Sequence, residues 1–508
     1  MAPVSTDTEW VVRAFEFRGF LAEETENVLN GVDLLEAVHI GGSTWLLAGS
    51  VVTGGVSRLL LRPDVAADYV STSWVLGGTP RAFADAGFET LSGDDRLISV
   101  DGITGVVTAL RIQSNGMTDA PIALRTTNNQ TIHATSITTH DDHGKDFLIN
   151  AQRFGDGIEV HQLTGNWQAL RLSTFTDTVK STLSQVSEIL SVSVGSKDFV
   201  IAASDTESGL TSFEVSANGS LTMTDSISAR DGLWVSGLND LVTYSIDGVT
   251  YLVGSSAGSS TLSSVRLNPM GVFFVEDVES DSRDTRFANA AVVEDFAVNG
   301  RHFAITGGTD GGVSLFELLP DGELYHHSST EMSLAWNIGS VAAIEAVVFG
   351  DEIQLLVSGT GAPGLAQLRL DMSDLGWRQT GDQTANGLTG SVLDDVLMGE
   401  AGNDTLIGNA GDDLIFAGDG RDTLTGGAGA DIFAFDADRI PDLITDFEKG
   451  EDKIDLSGWG VIYHHSALSI SAHDTGVRID FAREQLIVEP AAGHTFGPSD
   501  WGSDDFVF

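Results

Sequence analysis

Apolar and polar positions along the first three quarters of the chain repeat with a long period. A paired apolar step recurs at Leu46-Leu47, Leu97-Ile98, Leu148-Ile149, Val200-Ile201, Leu252-Val253, Ala304-Ile305 and Leu355-Leu356. Successive pairs lie 51, 51, 52, 52, 52 and 51 residues apart. Each sits after a short apolar run and a turn: Gly41-Gly42, Gly93-Asp94, His143-Gly144, Gly195-Ser196, Asp247-Gly248, Asn299-Gly300 and Gly350-Asp351. Such dipeptides supply the positive φ that a tight hairpin needs. A second Gly-rich turn follows, then an alternating strand: Val56, Leu59 and Leu61 in one unit align with Leu210, Phe213 and Val215, and with Val313, Phe316 and Leu318. Asn115-Gly116, Asn218-Gly219 and Asp321-Gly322 mark a third turn. Each unit therefore predicts about four short antiparallel strands.

Seven such units predict an all-β chain that begins with a seven-bladed β-propeller. A single blade cannot cover its own faces, so neighbours must stack and the ring must close. The last unit turns polar from Asp371 and lacks a fourth strand. The spare segment Trp10-Val11-Val12-Arg13-Ala14-Phe15 is expected to complete that blade. A β-sandwich or an open solenoid competes with this architecture; the nearly equal periods favour the closed ring. The period and unit endings such as GVSLFELLPDGEL (312–324) resemble the lactonase-type and beta-propeller-repeat families. The resemblance brings no catalytic motif with it.

From Gly390 the period drops to nine, in GSVLDDVLM (390–398), GEAGNDTLI (399–407), GNAGDDLIF (408–416), AGDGRDTLT (417–425) and GGAGADIFA (426–434). Asp395, Asp404, Asp413, Asp422 and Asp431 stand at position six; Leu397, Leu406, Ile415, Leu424 and Phe433 stand at position eight. The preceding GDQTANGLT (381–389) carries Asn386 at the aspartate position. Six residues make a turn and three a short strand, with the apolar residue inward. Glycines let backbone carbonyls face an ion. Carboxylates and carbonyls form an all-oxygen donor set, which suits Ca²⁺. A flexible acidic linker does not place an apolar residue two positions after each aspartate five times running.

These units resemble the RTX (hemolysin-type) calcium-binding repeats. The resemblance implies a parallel β-roll whose turns alternate between two sides, with Ca²⁺ between turns two repeats apart. Carried over, the sharing pairs are Asp395 with Asp413, Asp404 with Asp422, and Asp413 with Asp431, with a weaker Asn386–Asp404 site. Leu393 at position four of the first unit puts that turn in doubt. Ser391, Glu400 and Asn409 replace the second glycine, and Ala417 a first. Residues 390–434 hold nine acids and one base, Arg421. Stacked carboxylates repel, and five apolar side chains are a small core, so ion binding is expected to become folding energy.

Composition narrows the partners. The 508 residues carry 26 basic against 73 acidic side chains, a net charge of −47. Nucleic acid and anionic lipid are disfavoured, and cations attracted. No cysteine is present, which excludes disulfides, thiolate metal sites and cysteine nucleophiles. No apolar run reaches eighteen residues, so no membrane span is expected. MAPVSTDTEW lacks the pattern of an N-terminal signal peptide. Residues 444–456 and the strand-like segments 476–481 and 485–488 resemble the flank that caps secreted RTX rolls. Asp504-Asp505-Phe506-Val507-Phe508 resembles the signal read by type I secretion systems. The resulting division is 1–378 propeller, 379–435 calcium roll, and 436–508 β cap with secretion signal, in an extracellular protein.

Catalytic motifs are weak. Gly254-Ser255-Ser256-Ala257-Gly258 fits G-x-S-x-G, but a nucleophile elbow needs a following helix, and none is predicted. His140-Asp141-Asp142-His143 falls on a hairpin turn and reads as solvated. His161 replaces the apolar residue seen at Leu59, Phe213 and Phe316 and reads as a hydrogen-bonded core histidine before a ligand. No H-E-x-x-H occurs. The propeller is therefore expected to bind a surface polysaccharide or protein; the alternative is a hydrolase or lactonase at the channel mouth.

Overall fold

The computed structural model describes residues 15–21, 29–52, 55–63, 65–74, 83–91, 94–113, 121–142, 145–331 and 338–508. Strands account for nearly all regular structure there; the helical elements are four 3-10 turns of three residues each. No helix among the described residues is long and apolar enough to cross a membrane. The chain forms two compact units, one from most of residues 13–370 and one chiefly from residues 371–508.

The first unit is a seven-bladed propeller. Its blades span 32–74, 83–123, 134–176, 186–227, 238–280, 292–331 and 341–371, each a sequential antiparallel sheet. The apolar pairs all fall on second strands, and all fourteen residues are at most 1% exposed. Successive strand residues point to opposite faces, so each pair joins two inter-blade cores. Leu46 clusters with Leu356 and Leu365 of the last blade, whereas Leu47 clusters with Leu97 of the second. Likewise Leu148 packs with Ile98, and Ile149 with Val200. Among the described hairpin turns, Asp247-Gly248 and Asn299-Gly300 adopt the expected left-handed backbone at both residues, at φ 50° and 82° and at 53° and 78°.

The ring closes. First strands of successive blades contact one another all the way round, including Val341–Phe349 against Val32–Ile40. The strand completing the last blade is Glu16–Leu21, antiparallel to Leu365–Asp371. It lies downstream of the Trp10–Phe15 segment, of which residues 10–14 fall outside the described residues. This is an outer-edge strand with one side in water, and Glu16 pairs with Arg369 at 3.5 Å. Two charged residues and a glycine interrupt its apolar positions, so the more apolar stretch before it stands out instead.

Side chains of the first strands staple neighbouring blades. Asp240 Oδ2 accepts the Val293 N–H at 3.0 Å, and Ser136 Oγ accepts the Ile189 N–H at 2.9 Å. Glu294 accepts from Ala346, and Glu345 from Ala37. Burial, with the charge of Asp295 adding to it, pushes the Glu345 carboxyl up to about 7.

The second unit is a parallel β-roll. Alternate nonapeptides feed two sheets: one with Leu375–Thr380, Asp394–Met398, Leu414–Phe416, Ile432–Ala434 and Lys453–Asp455, the other with Gly387–Thr389, Thr405–Ala410, Thr423–Ala428 and Asp442–Phe447. In the first, Leu397, Ile415, Phe433 and Ile454 stack in register; in the second, Leu388, Leu406, Leu424 and Ile444 do. Glu484–Pro490 extends the second sheet parallel to Asp442–Phe447, Gly476–Phe481 and Ser469–His473 continue it antiparallel, and Phe506–Val507 pairs beside Lys453–Asp455. The cap enlarges the core well beyond five side chains: Phe435, Phe447, Trp459, Trp501 and Phe506 join the position-eight residues in one cluster.

Candidate metal centre

Position six of each nonapeptide lies at the end of a turn, where the strand begins. There the aspartates are almost fully buried: Asp395, Asp404, Asp413 and Asp431 are 1% exposed and Asp422 0%. The structure links them in two ladders. On one side the N–H groups of Asp395 and Asp413 donate to Oδ1 of Asp413 and Asp431 at 2.8 and 2.9 Å. On the other, the N–H groups of Asn386 and Asp404 donate to Oδ1 of Asp404 and Asp422, both at 2.7 Å. The four expected pairs, each 18 residues apart, are thus neighbours.

The outer oxygens carry the chemical information. Oδ2 of Asp404, Asp413, Asp422 and Asp431 is buried and accepts no hydrogen bond. Leaving one such atom unpaired costs about 1–3 kcal/mol, and more when charged. Position-one glycines sit directly against three of these atoms, those of Asp404, Asp413 and Asp431; Ala417 holds that position in the Asp422 unit. A Cβ on Gly408 would overlap Asp413 Oδ2 and meet the Gly426 carbonyl oxygen; one on Gly399 would meet Asp404 Oδ2 and the Ala417 carbonyl. Each cradle therefore brings together a carboxylate oxygen and a main-chain carbonyl from two units on. Among the described residues no three acidic or histidine side chains converge on one point. A cation here draws on carboxylates in small number with backbone carbonyls, and this all-oxygen set fits Ca²⁺.

The electrostatics agree. Burial, reinforced by Asp431, Asp395 and Asp394, pushes Asp413 up to about 8. Burial likewise moves Asp431 to about 7 and Asp422 to about 6. Uncompensated charge is resisted at these sites, and a divalent ion removes that resistance.

The two ends of the ladder differ. Asp395 has its Oδ2 taken by the Ser391 N–H at 2.5 Å and the Ser391 hydroxyl at 3.0 Å. The first turn, doubtful for its Leu393, is closed by this serine. Asn386 is half-buried, and its Oδ1 accepts the Asp382 N–H at 2.7 Å.

Two ladder members escape a nine-residue search. The Asp422 N–H donates to Asp442 at 2.9 Å, and the Asp431 N–H to Asp452 at 3.1 Å. Both aspartates are buried and pushed up to about 8, mainly by burial. Their offsets of 20 and 21 residues break the period; Asp442 stands two residues before the I-T-D-F stretch, whose own acid is Asp446, and Asp452 lies within G-E-D-K-I-D. Position five adds a reverse ladder: Asp394 and Asp412 accept from Asp412 and Ala430 at 2.9 and 2.7 Å.

The G-x-S-x-G and His140–His143 motifs do not assemble a site. Ser255 and Ser256 end a blade strand, followed by a turn and another strand, with no helix. His140 lies 3.4 Å from Asp198, and His143 is outside the described residues. His327 hydrogen-bonds Glu317 at 2.8 Å, and burial lowers His326 to about 4.

Residues 389–424 and 407–439 match the family model of the RTX calcium-binding nonapeptide repeat. No curated protein matches the chain. Among solved structures, a mannuronan C5-epimerase subunit from Azotobacter vinelandii, AlgE6R3, is 31% identical over 25% of this chain and 81% of its own, with TM-score 0.21. A putative 6-phosphogluconolactonase from Bacteroides uniformis is 15% identical over 57% of this chain and 82% of its own, with TM-score 0.43. A protein from Lactobacillus plantarum is 15% identical over 63% and 96%, with TM-score 0.42. By its repeats the chain is a calcium-binding RTX-type protein, a nonapeptide β-roll carried on the same polypeptide as a seven-bladed β-propeller.

Proposed function

We propose that this is a secreted RTX protein whose roll folds on Ca²⁺ after type I export, and whose propeller is an extracellular binding or adhesion module. The observation that carries the calcium reading is the set of four buried aspartate oxygens without partners. Asp404, Asp413, Asp422 and Asp431 are the principal ligands, with Asp395 and Asn386 at the ladder's start. Four such penalties rival the roughly 5–15 kcal/mol that stabilises a whole domain. Calcium supplies the positive charge that removes them. Extracellular modules of this class bind at about 10⁻⁴–10⁻³ M, so the roll stays unfolded at cytosolic calcium and folds outside. The RTX repeats support export through a type I apparatus.

Binding is favoured over hydrolysis at the channel because the inner-strand carboxylates of Asp240, Glu294 and Glu345 are engaged by N–H groups of the next blade. The test is circular dichroism and calcium titration of the purified chain with and without chelator. The account expects β-signal gained with cooperative uptake at sub-millimolar to millimolar calcium. Identical spectra in both conditions would refute it.

A further inference from the structure

Blade 3 departs from its neighbours at one position. His161 stands on the third strand where other blades carry Leu59, Phe213 and Phe316. It is 1% exposed, and its Nε2 lies 3.3 Å from Glu159 Oε2. Nδ1 is buried and has no hydrogen-bond partner. Buried polar atoms are normally satisfied, so this polar pair inside an apolar blade core needs a reason, and His161 and Glu159 both line a cavity.

The cavity is there. It measures about 200 Å³, the size of one sugar ring, and is lined by Gln152, Arg153, Phe154, Glu159, His161 and Arg171 among others. The hydrogen bond from His161, with Arg171 assisting, holds Glu159 down at about 2 against its burial, so it is a fixed carboxylate. Arg171 Nη1 reaches Glu159 Oε1 at 3.0 Å. Arg153 is held only by the carbonyls of Gly102 and Ile103, at 3.0 and 2.9 Å. No described carboxylate pairs with it. Two guanidiniums against one carboxylate leave the cavity locally cationic in a chain of net charge −47. Screening acts over about 8 Å at physiological ionic strength, so the near cation outweighs the distant acids. At the rim Phe154 is 80% exposed, its ring 5.4 Å from that of His133. An exposed aromatic face attracts the positive C–H edges of a sugar, and planar polar side chains take its hydroxyls.

We propose that this cavity on blade 3 binds one hexuronate unit of an acidic polysaccharide. The carboxylate pairs with Arg153 and Arg171, a hydroxyl hydrogen-bonds at the His161–Glu159 pair, and the ring lies on Phe154. The assignment rests on reading the propeller as an extracellular binding module, and gives that module a ligand class.

The test is saturation-transfer NMR on the full-length protein in millimolar calcium, with D-glucuronate, D-glucose and acetate as probes. Glucuronate is expected to bind at millimolar concentration, with glucose and acetate at least tenfold weaker. His161→Phe installs the residue found at this position in two other blades, and Phe154→Ala removes an exposed ring. Each is expected to weaken glucuronate at least tenfold with an unchanged melting temperature. No transfer to glucuronate, equal transfer to glucose, or undiminished binding in both variants overturns the proposal. Retention of an immobilised polyuronate by the wild type and both variants alike overturns this site while leaving the binding-module reading standing. Failure of the wild type to retain any of a panel of polysaccharides, with no glucuronate signal, overturns both.

Discussion

Each position-six aspartate faces two ways. At Asp404 and Asp413 the N–H reaches the aspartate 18 residues on, and Oδ1 receives the N–H from 18 residues back. Asp413 holds the centre of one ladder, so Asp413→Ala removes the acceptor of the Asp395 N–H and the carboxylate of one cradle, while its own N–H to Asp431 remains. Calorimetry should report fewer calcium ions bound and a weaker remainder; unchanged stoichiometry and affinity would count against the ligand assignment. Strain is visible at position two. Gly418 and Gly427 sit at φ 80° and 114°, but Glu400 is held at 68°. Left-handed backbone costs a side-chain-bearing residue about 1–2 kcal/mol, partly offset by glycine's greater entropy when unfolded. Glu400→Gly should therefore stabilise the calcium-loaded roll by up to about 1 kcal/mol, read as a higher urea midpoint. At this scale the sequence made position six plain, because chemistry and period coincide there. It hid Asp442 and Asp452, because loops of altered length restore the same spatial register at a different spacing.

Elements were legible where both faces of a strand are covered. The apolar pairs mark second strands because each member serves a different inter-blade core. Position-eight residues work the same way in the roll. Ile415 is fully buried and stacked between Leu397 and Phe433. Ile415→Ala should cost about 2–5 kcal/mol, measured by urea unfolding in saturating calcium. A cost near zero would mean that the stack is not continuous. Edge elements were harder to see. Glu16–Leu21 is half in water and lacks an apolar pattern, so the more apolar segment upstream drew the expectation. The cap's share of the core was also hidden: Trp459, Trp501 and Phe506 fall outside any repeat and meet Phe433 and Phe447 only through tertiary packing.

For the whole molecule, two environments respond oppositely to charge. In the propeller, Glu345 has its carboxyl raised from 4.5 to about 7 while it holds the next blade. The folded state thus binds that proton more tightly than the unfolded state. Its contribution is complete below about pH 4.5 and is lost as pH rises through 7. The propeller melting temperature should fall between pH 5 and pH 8, and Glu345→Gln, which keeps an acceptor for the Ala37 N–H without ionising, should flatten that fall. A wild-type profile that rises over this range would contradict the linkage. In the roll, by contrast, charge is tolerated once a cation shares it.

That coupling is tested most directly by hydrogen exchange with mass spectrometry on the intact chain, in chelator and in millimolar calcium. Amides of residues 394–434 are expected to exchange freely in chelator and to be strongly protected in calcium, while the second strands of the blades stay protected in both. Equal protection of residues 394–434 in the two conditions would contradict the claim that calcium folds the roll.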